Sequence, residues 1–460
     1  MAPKFGTSGL RGLVTELTPD LVADYVHAFL TIVDCDTLFV GRDLRPSSPD
    51  IAASVTDAAL QAGVDVVDCG ALGTPALALT SMGAGGAAIM VTGSHIPADR
   101  NGLKFYLPGG EVSKTDEAAI NAAFATRARR TPPVPGKSGK APGAEATYVA
   151  RYVDAFGPGA LKGLRLGVYR HSSVARDTMQ NIFAALGADT VPLAHSETFI
   201  PVDTEAVDPH TRGQLAQWCA DHGLDAVAST DGDADRPMLT DANGQVVPGD
   251  VLGVLTARLL KARHVVTPVS SNDMVRRLPE FGAVTLTRIG SPFVIAGMQE
   301  AGNVDVVGFE ANGGFLLGFT AQLTGPLAPL PTRDCMLPIL APLVAAKQAG
   351  LTLADLVAGL PPCFTAADRL QEIDRDKAAH FLSGLIDDPD RRAAFFAGFG
   401  PIAGTDLTDG LRVDFSTGEV VHLRPSGNAP EFRIYAQAGS AARAQEVMQN
   451  ARAAVAGVLS

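Results

Sequence analysis

Along this 460-residue chain the apolar positions switch between two spacings. Short continuous apolar runs at Thr37–Gly41, Val64–Asp68 and Ala87–Val91 predict buried strands. Between the first two lies Ile51–Gly63, whose spacing predicts a helix that ends on its glycine. The alternation restarts with a strand at Leu164–Tyr169, a helix over Val174–Leu186 closed by Gly187, and a strand at Leu224–Ser229. A third unit covers roughly 250–361, with strands at Val265-Val266 and Val304–Gly308. Such alternation predicts α/β sheets with functional loops at the strand ends. The last part differs. Asp409-Gly410 signals a turn, Leu411–Phe415 and Val420–Leu423 predict a hairpin joined through Thr417-Gly418, Phe432–Ala438 a further strand, and Ala441–Leu459 a closing helix. That is an α+β unit. The Pro-, Gly- and Lys-rich segment 131–143 predicts a linker or an exposed excursion.

Bulk properties narrow the function classes. The length exceeds one ordinary core and fits three or four domains, and 46% hydrophobic residues suffice to pack them. A formal net charge of −12 argues against non-specific nucleic-acid binding, although local Arg and Lys clusters can still capture a small anion. Five cysteines, Cys35, Cys69, Cys219, Cys335 and Cys363, are odd in number and widely spaced. They predict neither a disulfide framework nor a zinc knuckle, and a cytoplasmic home. The N-terminus shows no secretory pattern. Cys69–Ser94 carries no charge, but Gly73, Pro75, Gly83, Gly85 and Gly86 interrupt it, so a short helix and a buried strand are expected there rather than a membrane span.

Four loops carry candidate chemistry. In Val91-Thr-Gly-Ser-His-Ile-Pro97 a hydroxyl, Ser94, stands between Gly93 and an imidazole, His95. Asn101-Gly102 predicts a tight turn that returns Lys104 to the same place. Asp231-Gly-Asp-Ala-Asp-Arg236 follows a predicted strand. Its alternate carboxylates Asp231, Asp233 and Asp235 can converge on one hard cation such as magnesium, with Arg236 adjoining. Arg236 and Ala242 exclude an EF-hand. Arg424-Pro-Ser-Gly-Asn-Ala-Pro430 offers Arg424, Ser426, Gly427 and Asn428, with Arg433 nearby, as a phosphate cradle. Phe5-Gly-Thr-Ser-Gly-Leu-Arg-Gly12 is glycine-rich and carries Ser8 and Arg11, but follows no predicted strand and does not fit G-x-G-x-x-G. No Walker A motif occurs, and Thr92 breaks the esterase G-x-S-x-G frame. A serine beside a metal triad, with a remote phosphate cradle, points to phosphoryl transfer on a small phosphorylated ligand.

In this order the motifs resemble the α-D-phosphohexomutase family over essentially the whole chain. The carriers are Phe5–Gly12, Gly41-Arg-Asp-Leu-Arg-Pro-Ser-Ser-Pro49, Thr92–Pro97 with Asn101–Lys104, Asp231–Arg236, Glu310-Ala-Asn-Gly313 and Arg424–Asn428. The resemblance implies three successive α/β domains with mixed sheets and a C-terminal α+β domain around a central cleft, at 1–140, 147–247, 248–361 and 363–460. It implies a phosphate on Ser94 that passes to a hexose phosphate, giving a 1,6-bisphosphosugar that turns over and returns its other phosphate. Mg2+ would be held by Asp231, Asp233, Asp235 and the Ser94 phosphate, with hexose 1,6-bisphosphate as activator. Arg236 would support that phosphate, Lys104 and His95 would handle protons, and Arg11 would assist as a cation. Glu310 and Asn312 fall in the sugar loop. Thr287-Arg-Ile-Gly-Ser-Pro292 is similar to the specificity loop and supplies Arg288 and Ser291. Two positions depart from the common pattern: Gly314 stands where the sugar loop usually ends in histidine, and Asn312 replaces a serine. The Glu-Ala-Asn-Gly form resembles phosphomannomutases, with acetylglucosamine phosphate mutases as the alternative. A haloacid-dehalogenase-type phosphatase would need Thr or Val at 235, where Asp stands.

Overall fold

Four sheets, met in chain order, and a two-stranded ribbon of Ala321–Gln322 with Pro326–Leu327 make up the β-structure of the described residues, which in this computed structural model are 3–6, 9–130, 134–302, 304–426 and 430–459. Ser8, Gly427 and Asn428 lie outside them.

The first sheet orders its main strands as Lys4–Phe5, Leu10–Leu13, Arg100–Leu107, Ala87–Val91, Thr37–Arg42, Asp65–Ala71 and Ser138–Lys140. Thr37–Arg42 is parallel to both neighbours, whereas Arg100–Leu107 runs antiparallel to Ala87–Val91. All five residues of Ala87–Val91 are buried, as a continuous apolar run requires of a strand covered on both faces. The uncharged stretch resolves into helix Thr74–Gly83 followed by that strand. Among the described residues no helix is long and apolar enough to cross a membrane.

The second sheet orders Asp189–Leu193, Arg165–Tyr169, Ala226–Thr230 and Pro237–Leu239, the last antiparallel. The third orders Ala283–Thr287, His264–Pro268, Val306–Phe309, Phe315–Leu317 and Leu330–Asp334, parallel through its first three strands. The fourth is wholly antiparallel, orders Phe364–Gln371, Glu431–Ala438, Val420–Pro425, Leu411–Phe415 and Ile402–Asp406, and carries helix Ala441–Leu459. Three mixed sheets and one α+β unit are thus present.

One core runs through the first three sheets, each of which also has a cluster of its own, around Val40 and Phe105 in the first, Tyr169 and Val227 in the second and Val266 and Leu316 in the third. Leu77 and Met90, Val168 and Phe183, and Phe309 and Leu340 belong to a single buried cluster. The fourth sheet packs a separate core around Phe381, Phe396, Phe415 and Phe432.

Three local expectations are corrected. Asn101-Gly102 is not a turn but lies inside strand Arg100–Leu107. The close approach of the neighbouring strand overrides turn preference there, since a Cβ on Gly102 would stand 2.1 Å from the Leu10 carbonyl oxygen. Within 131–143, Ser138–Lys140 is an edge strand of the first sheet, parallel to Asp65–Ala71. A two-residue strand, Lys4–Phe5, does precede the N-terminal glycine loop and pairs with Leu10–Leu13.

Candidate active site

Strand Ala87–Val91 runs straight into Ser94, whose backbone is left-handed at φ 55°. A buried scaffold holds this uncommon conformation. Asp43 accepts from Thr92 Oγ1 at 2.7 Å and from Arg45 Nε at 3.1 Å, and Thr92 Oγ1 in turn accepts the Ser94 N–H at 2.7 Å. The fully buried Arg45 guanidinium donates to the carbonyls of Ser94 (2.9 Å), Ile96 (2.6 Å), Pro97 (2.7 Å) and Arg100 (3.0 Å). Its face lies 4.2 Å from the Phe199 ring centre. Five donors in a rigid fork suit such multiple carbonyl capture.

Ser94 Oγ donates to Asp231 Oδ2 at 2.5 Å and lies 3.2 Å from His95 Nδ1. Asp231 follows strand Ala226–Thr230, so this contact joins the first two sheets across 137 residues of sequence. Lys104 arrives by antiparallel pairing opposite Met90, not by a turn. Its Nζ stands 2.5 Å from both Asp233 Oδ2 and Asp235 Oδ2. Thr74 Oγ1, at the start of helix Thr74–Gly83, donates to Asp233 Oδ2 at 2.6 Å.

The three aspartates are fully buried, and each offers an oxygen within 4.8 Å of the others. Asp233 Oδ1 and Asp235 Oδ1 are buried without a hydrogen-bond partner among the described residues. Hard, anionic oxygens in that state fit a divalent cation such as magnesium. Burial, then Asp233 and Asp235, push the Asp231 carboxyl well above the usual carboxylate range. Burial works the same way on Asp235, but Arg333, Lys104 and Arg236 outweigh it and hold that carboxyl low. Burial, with Arg236 and Arg11 nearby, pushes the His95 imidazole down to about 2, so it stays neutral. Arg11, on strand Leu10–Leu13, is itself lowered to about 10, first by burial and then by Arg236.

Glu310 and Asn312 follow strand Val306–Phe309 and are nearly buried. Asn312 Oδ1 accepts the Gly314 N–H at 3.0 Å, so its side chain braces its own loop. Burial raises the Glu310 carboxyl. Its Oε2 lies 3.6 Å from Arg333 Nη1, and Arg333 Nη2 reaches Asp235 Oδ2 at 2.8 Å.

A second group gathers where the third and fourth sheets meet. Arg424 and Arg433 are cross-strand partners, and the Ser426 N–H bonds to the Glu431 carbonyl at 2.8 Å. Asp409 Oδ2 takes both Arg424 Nε at 2.9 Å and the Ile289 N–H at 3.0 Å, while exposed Arg288 donates to the Thr408 carbonyl at 3.3 Å. Exposed Glu205 is within the fields of Arg236 and Glu310 of the first group and of Arg433 of the second. Ser291 is joined to the first group through Glu111: it is buried at the start of helix Ser291–Ala301, and its Oγ donates at 2.9 Å to Glu111 Oε2, whose other oxygen lies 3.5 Å from Arg333 Nε.

Reading the sequence missed Arg45, Thr74, Glu111, Arg333 and Asp409. Arg45 falls inside the quoted Gly41–Pro49 motif, which was the available signal. Arg333 meets partners 98 and 23 positions away, Asp235 and Glu310, so no local pattern announces it.

Four family models match the chain: phosphoglucomutase/phosphomannomutase alpha/beta/alpha domains I, II and III at residues 2–131, 147–244 and 248–364, and the C-terminal domain at 371–454. A phosphomannomutase of Sinorhizobium fredii is 45% identical, with 97% of this chain and 98% of the relative covered. A phosphomannomutase of Salmonella muenchen is 41% identical, covering 95% and 92%. The crystal structure of a phosphoglucomutase/phosphomannomutase family protein from Burkholderia thailandensis superposes with a TM-score of 0.80 at 23% identity, covering 98% of each chain.

Proposed function

Because the chain belongs to the phosphoglucomutase/phosphomannomutase family over all four of its domains, we propose that it interconverts mannose 1-phosphate and mannose 6-phosphate through a phosphate carried on Ser94. It is a phosphohexomutase, an isomerase that works by phosphoryl transfer. The observation that carries the reading is the 2.5 Å contact from Ser94 Oγ to Asp231 inside a buried carboxylate triad.

In this reading Ser94 gives its phosphate to the sugar hydroxyl and receives the other phosphate back after the bisphosphosugar has turned. Each transfer moves one proton between a sugar hydroxyl and Ser94 Oγ. Neutral His95, 3.2 Å from that oxygen, and Lys104, which reaches the same carboxylate triad, carry it. Asp231, Asp233 and Asp235, together with a phosphate on Ser94, would hold a Mg2+ ion, which when bound would supply positive charge at the phosphoryl group. Arg236 and Arg11 add fixed positive charge beside it. Arg424, Ser426, Gly427, Asn428 and Arg433 grip the phosphate that is not reacting, helped by Ser8 and Arg288. Glu310 takes the ring hydroxyls, Asn312 holds the sugar loop in shape through the Gly314 N–H, and Ser291 supports the specificity loop through Glu111. If the intermediate escapes, Ser94 would regain its phosphate from a hexose 1,6-bisphosphate, which would leave as a hexose monophosphate. The five free cysteines agree with a cytoplasmic site of action, and the acidic chain with a small-molecule rather than a nucleic-acid partner.

A coupled assay with mannose, glucose and N-acetylglucosamine 1-phosphates plus hexose bisphosphate tests this. Mannose phosphate should turn over fastest, with slower glucose phosphate activity. Faster turnover of N-acetylglucosamine phosphate than of either hexose phosphate would replace the substrate.

A further inference from the structure

Gly314 closes the loop that carries Glu310 and Asn312, and another side chain fills the space beside it. A Cβ built on Gly314 would stand 2.9 Å from Arg333 Cδ and 3.0 Å from its Cγ. The methylene stem of Arg333 therefore lies directly against the Gly314 backbone, where any side chain at 314 would have to go. Arg333 comes from strand Leu330–Asp334, which pairs with Phe315–Leu317 immediately after the loop. Its guanidinium fans out to three carboxylates from three different domains: Asp235 at 2.8 Å, Glu111 at 3.5 Å and Glu310 at 3.6 Å. Its side chain is 4% exposed.

Resting on the mutase reading of this site, we propose that Arg333 is a positioning residue that ties the sugar loop to the metal loop, and that Gly314 is glycine to admit it. The guanidinium is permanently charged, so it cannot carry the proton that an imidazole at 314 could. It acts through its neighbours. It sets the Glu310 carboxylate toward the substrate and shares Asp235 Oδ2 with Lys104, which stands 2.5 Å from the same oxygen. Lysine cannot replace it, because one ammonium cannot span Asp235 and Glu310 in a fixed plane.

The test uses the full-length enzyme. Arg333→Met should lower kcat/KM for mannose 1-phosphate by about 100-fold, with KM raised about tenfold because Glu310 is released from the sugar. Arg333→Lys should recover only about tenfold of that loss. Gly314→Ala should drive the arginine away and reproduce the Arg333→Met defect. The double variant Gly314→Ala/Arg333→Met should be no worse than either single change, since both remove the same contact. A second readout needs no turnover. Taking a cation off Asp235 should tighten Mn2+ binding several-fold, followed by electron paramagnetic resonance, in Arg333→Met but not in Arg333→Lys. Activity of Arg333→Met within threefold of wild type, or losses that multiply in the double variant, would overturn the proposal. If Arg333→Met does not fold, Arg333→Lys and Gly314→Ala decide it: two wild-type KM values refute it. If the wild type turns over no hexose phosphate, the mutase reading fails by itself. Mn2+ binding then decides Arg333: several-fold tightening supports the role, and an unchanged affinity overturns it.

Discussion

Ser94 combines reactivity with a backbone that side chains rarely adopt, φ 55°. Holding such a conformation costs about 1–3 kcal/mol, and the Asp43–Arg45–Thr92 scaffold bears that cost. Two substitutions separate chemistry from strain. Ser94→Ala and Ser94→Gly should both lose turnover and the phosphate, read by intact mass, while Ser94→Gly should melt higher because glycine accepts positive φ. The metal triad is tested by Asp231→Asn, which should lower kcat by at least ~10²-fold, as for other single electrostatic stabilisers; full activity in excess chelator would reject the triad. Two buried histidines give a pH signature. Burial pushes both His171 and His422 down to about 4. The unfolded chain therefore binds more protons than the folded one from about pH 6.5 down to 4, and stability falls as pH falls through that window. Relative to neutral pH, each costs at most on the order of 3 kcal/mol of stability once the pH is below about 4. Asp250, raised to about 6 by burial, has the opposite sign between its usual value and about 6. His422→Gln should flatten the fall in melting temperature between pH 6.5 and 4, and an unchanged slope would contradict the assignment.

At the scale of elements, the loop after strand Ala87–Val91 hangs from one side chain. Arg45 supplies four carbonyl contacts to it, so Arg45→Met should raise amide exchange across 92–100 and cut kcat by about 10²-fold or more, a loss of placement as large as misaligning the nucleophile. On the fourth sheet, Arg424→Ala should remove a charge-assisted phosphate contact worth roughly 1.5–3 kcal/mol. The loss in kcat/KM should be the same in both directions of reaction, because one cradle serves both phosphate positions; a defect confined to one direction would break that link. The strands and loops of this site were legible because short apolar runs and the Ser94 and Asp231 motifs are local signals. Thr37–Gly41, read as a strand, is observed as Thr37–Arg42, and Leu224–Ser229 as Ala226–Thr230. What stayed hidden depends on packing between distant segments. Gly102 looks like a turn residue until the Leu10 carbonyl is seen beside it, and Arg333 looks like any strand arginine until three domains close around it.

Across the whole molecule, apolar contact is divided unequally. One cluster runs through the first three sheets, whereas the fourth keeps its own. The junction between them is rich in polar contacts: Arg412 reaches the Val269 carbonyl at 3.0 Å and pairs with Asp273, and Gln437 Nε2 donates to the Ser271 carbonyl at 2.9 Å. Polar contacts of this kind couple domains less tightly than a shared core. Denaturant unfolding should therefore show residues 364–459 exchanging amides as one unit, before a single later transition of the rest. Coincident loss of all protection would refute this. The same division bears on ancestry. Recombination between related genes yields foldable offspring only where crossover leaves each core whole, which in this chain means the segment from Leu360 to Phe364. Hybrids joined there should be soluble, while hybrids joined near residue 143 should aggregate, since the first core would be assembled from two parents that never packed together.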